Sequence, residues 1–228
     1  MFSIVRPVST PSSPTRGRPA RLNQARTVQT ALDLLNESGL DALTMRRLAD
    51  AMDVQAGALY RYFATKQDLL TAMAERMVGG VAEAAGPAED SDWSERAARL
   101  ARALRAALLA HRDGARVYAG THSTGPNTLG FADSLTGVLR EAGFSDAEAA
   151  RALYAVANFT VGHTLEEQAA LQPENNGSAD AGNLHEAATA GAYPHLAATL
   201  PTLTSTDFTA HFEFGLRLLL DGLRAVRQ

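Results

Sequence analysis

Apolar residues recur every three or four positions through most of this chain, and polar breaks divide the pattern into helical segments. Val28, Ala31, Leu32 and Leu35 form one stripe over 23–38, and Gly39 ends it. Thr44 is placed to cap a second helix whose Leu48, Ala49 and Met52 share a face. Asp53-Val54-Gln55 reads as a tight turn, and a compact third helix over Ala56 to Phe63 buries Leu59 and Phe63. Thr65 and Asp68 form a capping box ahead of a fourth helix running to about Ala82, with Leu69, Leu70, Met73, Met77 and Val81 inside. A short helix, a three-residue turn and another short helix are the geometry of a helix-turn-helix, whose second helix enters the DNA major groove.

A stretch of small and acidic residues, 84–92, separates this block from a second helical series. Helices are expected over 94–111, 112–118, 126–142 and 146–171, the last of them apolar on more than one face. A helix of that kind must contact both its own core and something else. Residues 172–182 read as a polar loop, 184–200 as a weaker helix interrupted by Pro194, and 207–226 as a strong final helix. With no strand-like alternation and no internal repeat, the expected fold class is all-α, with about nine to ten helices. The expected division is a disordered basic arm over 1–20, a helix-turn-helix domain with its connecting helix over 21–83, and a larger helical domain over 84–228.

Charge sharpens the division. Residues 1–80 carry ten basic and seven acidic side chains, and the remainder eleven and eighteen, within a net charge of −4. The positive potential therefore lies where phosphate contacts are wanted. Within the Pro- and Ser-rich N-terminus, Arg16-Gly17-Arg18-Pro19 is slender enough to place Arg16 and Arg18 in a minor groove. No cysteine is present, which excludes disulfides and thiolate chemistry. No apolar run reaches the roughly 18 residues of a membrane span, and no signal-peptide core precedes the helices, so a cytoplasmic protein is expected.

The helix-turn-helix is more specific than its geometry alone. Ala25 to Phe63, with the Gly39 turn, the Leu43-Thr44 helix start, Leu59-Tyr60-Arg61-Tyr62-Phe63 and the Lys66-x-x-Leu69-Leu70 entry to helix four, resembles the DNA-binding domain of the TetR family of bacterial transcriptional regulators. The second half resembles the tetracycline-repressor branch of that family through Leu108 to Val117, Gly120-Thr121, Gly143-Phe144-Ser145, Phe159-Thr160-Val161-Gly162, Leu165 to Gln168 and Phe212-x-Phe214-Gly215-Leu216. The resemblance implies an Ω-shaped homodimer whose interface is built by the long helix and the final helix of each subunit. Gly215 and Gly222 are expected to permit close approach there. It also implies a ligand-responsive repressor that binds a palindromic operator and is released by a small-molecule effector. Two alternatives stay open: a helical ligand-binding or enzymatic dimer that does not touch DNA, and a ligand-independent activator or pleiotropic regulator.

The candidate DNA contacts are Arg16, Arg18, Thr44, Arg46, Gln55, Ala56, Ala58, Tyr60, Arg61, Tyr62 and Lys66. Arg61 has the fork that reads guanine O6 and N7. Tyr60 and Lys66 resemble the family's phosphate-binding tyrosine and lysine, and Arg46 stands where the branch places an arginine on a base. The candidate effector pocket is Leu100, Leu104, Tyr118, Thr121, Leu135, Phe159, His163 and Glu166. Tyr118 occupies the position of the branch's magnesium-binding histidine, and Leu100 and Leu104 replace its asparagine and phenylalanine. Since a phenol titrates near 10, Tyr118 is a poor magnesium ligand. The expected effector is therefore apolar or aromatic, with no metal and no cofactor. No nucleophile–base constellation or phosphate loop points to an enzyme.

Overall fold

A computed structural model describes residues 23–87, 92–171, 177–191 and 193–226. The candidate arm residues Arg16 and Arg18 lie outside them. Among the described residues there are eleven α-helices and no strand. Four short ones come first: α1 (Gln24–Ser38), α2 (Met45–Ala51), α3 (Ala56–Leu59) and α4 (Lys66–Met77). Their ends follow local chemistry. The Asn23 side chain accepts from the Arg26 N–H and Thr44 from the Arg47 N–H, while Thr65 and Asp68 exchange both bonds of a capping box. Asp53 takes φ 53° in the turn after α2, a left-handed conformation that aspartate tolerates.

Leu32, Leu35, Leu43, Leu48, Leu59, Leu69 and Met73 pack as the core of this head. Two boundaries differ from the expectation. The α-helical part of α3 stops at Leu59 rather than Phe63, because the N–H groups of Tyr62 and Phe63 both fold back onto the Leu59 carbonyl and close the helix as a tight turn. α4 stops at Met77 rather than near Ala82, where Gly79 and Gly80 follow and Gly80 takes φ +83°. A 3₁₀ turn over Ala82–Ala85 comes next. Core membership changes hands between Met77 and Val78: Val78 and Val81 already pack with the second core.

That second core belongs to α5 (Trp93–Leu109), α6 (Gly114–Ala119), α7 (Pro126–Glu141), α8 (Asp146–Ala170) and α11 (Phe208–Val226). α8 packs against α5, α6, α7 and α11, which explains its apolar breadth. Between α8 and α11 stand α9 (Gly177–Ala190) and α10 (Pro194–Leu203), packed mainly on each other. The polar loop expected over 172–182 is thus helical from Gly177 onward, and residues 172–176 fall outside the described part. Pro194 does not interrupt one helix but starts another, standing at its first turn where a missing N–H costs nothing. This break, with the helix at Gly177, is why the count exceeds the expected nine to ten.

One ion pair is deeply placed. Arg105 Nε and Nη2 donate to Glu167 Oε2 and Oε1 at 2.9 and 2.7 Å, a bidentate bridge from α5 to α8 whose side chains are 14% and 8% exposed. The Arg105 guanidinium also lies 5.1 Å from the centre of the Phe212 ring. Removing one partner of such a pair leaves an uncompensated buried charge. Arg105→Ala is therefore expected to lower unfolding free energy by about 3–5 kcal/mol. Chemical denaturation checks this, and a loss below about 1 kcal/mol, typical of a surface pair, would contradict it.

Candidate nucleic-acid interface and ligand cleft

The outer side of the helix-turn-helix is polar and aromatic. Gln55, Tyr60, Arg61 and Tyr62 are exposed, with Tyr60 half open to solvent at 50%, while Ala56 and Ala58 are half-buried. Leu59 and Phe63 point the other way into the core, so the chain at 59–63 alternates between holding the head together and presenting side chains outward. Arg46 is exposed on α2 beside the partly buried Arg47. Lys66 opens α4, half-buried, and Thr44 already uses its hydroxyl as the α2 cap. The structure thus gathers Thr44, Arg46, Gln55, Ala56, Ala58, Tyr60, Arg61, Tyr62 and Lys66 on one small domain. Tyr60 and Tyr62 are both exposed on this short turn, and neither is part of the head core.

The candidate pocket residues fare differently. Tyr118 and Thr121 line a cleft of about 430 Å³ at the end of α6, together with His122, Ser123, Thr124 and Thr128 and with Tyr154, Ala157, Asn158 and Val161 of α8. Leu100, Leu104 and Leu135 do not: each is fully buried in the second core, where their alkyl groups are consumed by neighbouring helices. Phe159 stacks on Phe212 at 5.5 Å, and His163 meets the same ring edge-on at 5.3 Å, so both are spent on holding α11 against α8. Glu166 is exposed, and its neighbour Glu167 is the buried carboxylate. Five of the eight expected lining residues are thus occupied by packing and one faces solvent.

Sequence reasoning missed the α8 wall of the cleft, although the signal was there. Tyr154, Ala157, Asn158 and Val161 recur at helical spacing and share one face of α8. The loop residues His122, Ser123 and Thr124 carry no such pattern. Burial first, and then the nearby Glu75 carboxylate, push the Tyr118 phenol up from its ordinary value, so it stays a protonated hydrogen-bond donor. Burial lowers His163, against the pull of Glu167, which keeps its ring neutral. Among the described residues no three His, Asp or Glu side chains converge as a metal site, and no helix is long and apolar enough to cross a membrane.

α4 is tied to the rim of this cleft at its start. Gln67 Nε2 donates to the Gly120 carbonyl at 2.8 Å, and Thr121 Oγ1 donates to the Tyr118 carbonyl at 2.9 Å, closing the turn after α6. α11 leaves apolar surface uncovered: Phe214, Leu218 and Val226 are all more than half exposed. Gly222 on α11 has open space around it, whereas the hollow at Gly215 is filled by Phe159 of the same chain, 2.5 Å from where a Cβ would stand. Gly215 therefore serves packing within the chain and not, as expected, approach by a second copy.

Comparison with known proteins agrees with this arrangement. Residues 28–73 match the model of "Bacterial regulatory proteins, tetR family", and residues 85–227 match "Tetracyclin repressor-like, C-terminal domain". The chain is 41% identical over 196 residues to the tetracycline repressor protein class A from transposon 1721 of Escherichia coli, covering 86% of this chain and 88% of that protein. It is also similar to the crystal structure of a possible TetR family transcriptional regulator from Streptomyces coelicolor A3(2), with 82% identity and a TM-score of 0.85 over 90% of this chain and all of that one. The Streptomyces coelicolor TetR family protein ActR, solved in complex with actinorhodin, matches with 32% identity and a TM-score of 0.81, covering 91% and 99%. The chain belongs to the TetR family of bacterial regulatory proteins, and its larger domain is of the tetracycline-repressor type.

Proposed function

We propose that this protein is a ligand-responsive transcriptional repressor that binds a palindromic operator as a homodimer and is released by a small-molecule effector. The observation that carries the reading is a helix-turn-helix with exposed Tyr60, Arg61 and Tyr62, joined through α4 to the rim of a polar-edged cleft. In the dimer, two α3 turns meet successive major grooves about one helical repeat (~34–36 Å) apart. Arg61 is the base reader, with Gln55, Ala56 and Ala58 against base edges. Tyr60, Tyr62, Thr44 and Lys66 hold phosphates, and Arg46 reaches a flanking base. An effector acts by binding more tightly to a conformer whose heads no longer match that spacing.

The cleft supports an effector with an aromatic or apolar body and a few polar edges. Tyr118, Tyr154, Ala157 and Val161 supply surface, and Thr121, His122, Ser123 and Asn158 supply hydrogen bonds. ActR, a neighbour in fold, was solved with a small molecule. In this reading residues 21–83 recognise DNA and connect, and residues 84–228 bind ligand and dimerise.

The DNA reading is tested by salt titrations of operator binding. Lys66→Ala should weaken binding about equally on all sequences and flatten the salt slope by about one unit. Arg61→Ala should relax selectivity at one operator position by roughly 1–3 kcal/mol. Wild-type behaviour from both variants would remove the assignment.

For the dimer, the open surroundings of Gly222 and the filled hollow at Gly215 separate two effects. Gly222→Leu should weaken association, by the roughly 1–3 kcal/mol of an overpacked contact, with the subunit fold intact. Gly215→Leu should instead destabilise the subunit by displacing Phe159. Sedimentation and thermal unfolding on the two variants distinguish these outcomes, and a Gly222→Leu dimer of unchanged affinity would move the interface elsewhere.

Release should not require a divalent cation, because the Tyr118 phenol stays protonated. A compound that frees the protein from its operator is expected to do so equally well in excess EDTA. Tyr118→Phe should cost about the 0.5–1.5 kcal/mol of one neutral hydrogen bond. Release that vanishes on chelation and returns with Mg²⁺ would reverse this conclusion.

A further inference from the structure

α7 begins without a cap of its own. Gly125 stands at its N-cap position and offers no side chain, and Pro126 follows at the first turn. The first free N–H groups of the helix, those of Asn127 and Thr128, are satisfied from another element altogether. Glu75, near the end of α4, accepts from the Asn127 N–H, from the Thr128 N–H at 3.2 Å, from Thr128 Oγ1 at 2.7 Å and from Ser123 Oγ at 2.9 Å. Asn127 Nδ2 returns a bond to the Glu75 carbonyl at 2.9 Å, and the Gly125 N–H donates to Ser123 Oγ at 3.0 Å. One carboxylate therefore does for α7 what an N-cap side chain does locally, with its charge at the favourable end of the helix dipole.

The glycine makes room for this. Its backbone, φ −75° and ψ 165°, is ordinary extended conformation that any residue adopts. What a Cβ would meet is the Glu75 carboxylate itself. Burial acts against the charged form of Glu75, but the bonds from Thr128, Asn127 and Ser123 outweigh it and hold the carboxyl below its ordinary value. Two of those donors, Ser123 and Thr128, also line the cleft. The same hydroxyls thus face both the candidate ligand and the helix that carries the DNA-binding head.

We propose that Glu75 is the positioning residue that couples the cleft to the head: a ligand whose polar atoms engage the Ser123 and Thr128 hydroxyls takes them from Glu75, uncaps α7 and unlocks α4. The proposal rests on the effector-release reading above and names the residue through which it acts. The coupling is mechanical, because a cap supplied by α4 cannot persist when α4 and the start of α7 move apart. With Gln67 on Gly120, it fastens α4 to the cleft rim at both ends of the helix.

Amide hydrogen exchange on the full-length protein tests this without ligand or operator. Glu75→Ala should speed exchange of residues 72–77 on α4 and of 127–131 on α7 by about tenfold or more, the loss of charge-assisted bonds. Alanine is the better helix former, so faster exchange in α4 is not a propensity effect. The deciding variant is Glu75→Ala with Gly125→Ser, which returns a local cap to α7 in the space the carboxylate vacates. Protection should return at 127–131 but not at 72–77. Approached from the cleft, Ser123→Ala with Thr128→Val should speed exchange in 72–77, and should add nothing when Glu75 is already alanine. Recovery of both segments together in the Gly125→Ser variant would make Glu75 a cap and no more, and unchanged α4 exchange in Glu75→Ala would also overturn the proposal. Operator binding is measured separately, so a protein with these exchange patterns that binds no operator loses the functional reading while the coupling stands.

Discussion

The head of this protein is not closed on its own. Val117, on α6 of the larger domain, is buried in the core of α1–α4, and Met73 and Met77 of α4 complete the same core. Around this apolar plug lies a ring of polar bonds. The buried Asp113 carboxylate accepts the Leu40 N–H at 2.8 Å and pairs with Arg116, which also reaches Asp41. Asn36 accepts the Arg112 N–H at 3.1 Å. Gly39, at φ +80°, brings the turn between α1 and α2 against the Arg112 and Asp113 side chains, a backbone position that any Cβ would strain. The head is therefore held to the larger domain by a packed contact at α6, with Val117 inside its core.

That constraint explains why the cleft is placed where it is. Tyr118 follows Val117 directly, packs against both cores and lines the cleft. A ligand touching Tyr118 thus stands one residue from that contact. α4 is fixed to the rim by Gln67 and Glu75. A rigid block lies on the other side of α8, where Arg105, Glu167, Phe159, His163 and Phe212 bind α5, α8 and α11 into one body.

The surface that remains uncovered has its own logic. α11 buries Phe212, Leu216 and Leu220 on one side and exposes Phe214, Leu218 and Val226 on the other, so both faces of a single helix are apolar. The α9–α10 pair also exposes Leu184, Tyr193, Leu196 and Leu203. An isolated subunit holds these groups in water at a cost, and exposed apolar surface of this extent is what interaction sites present.

Helices, the caps at α2 and α4 and the helix-turn-helix were legible in the sequence, because they rest on interactions within three or four residues: Thr44 to Arg47 and Thr65 to Asp68. The outward set around Tyr60 and Arg61 was legible for the same reason, since Leu59 and Phe63 claim the inward side. What only the tertiary structure decided depends on residues far apart in the chain. Periodicity marks Leu100, Leu104 and Leu135 as apolar but does not say whether a ligand or a neighbouring helix meets them, and here helices do. It cannot tell Glu166 from Glu167, yet the rotation of α8 buries the second against Arg105 on α5, 62 positions away, and exposes the first. Nothing in the residues around Glu75 marks it as a cap. Only the folding of α4 against the start of α7, about fifty residues on, made it a cap, because a carboxylate satisfies whichever N–H groups the packing brings to it, whatever their distance in sequence.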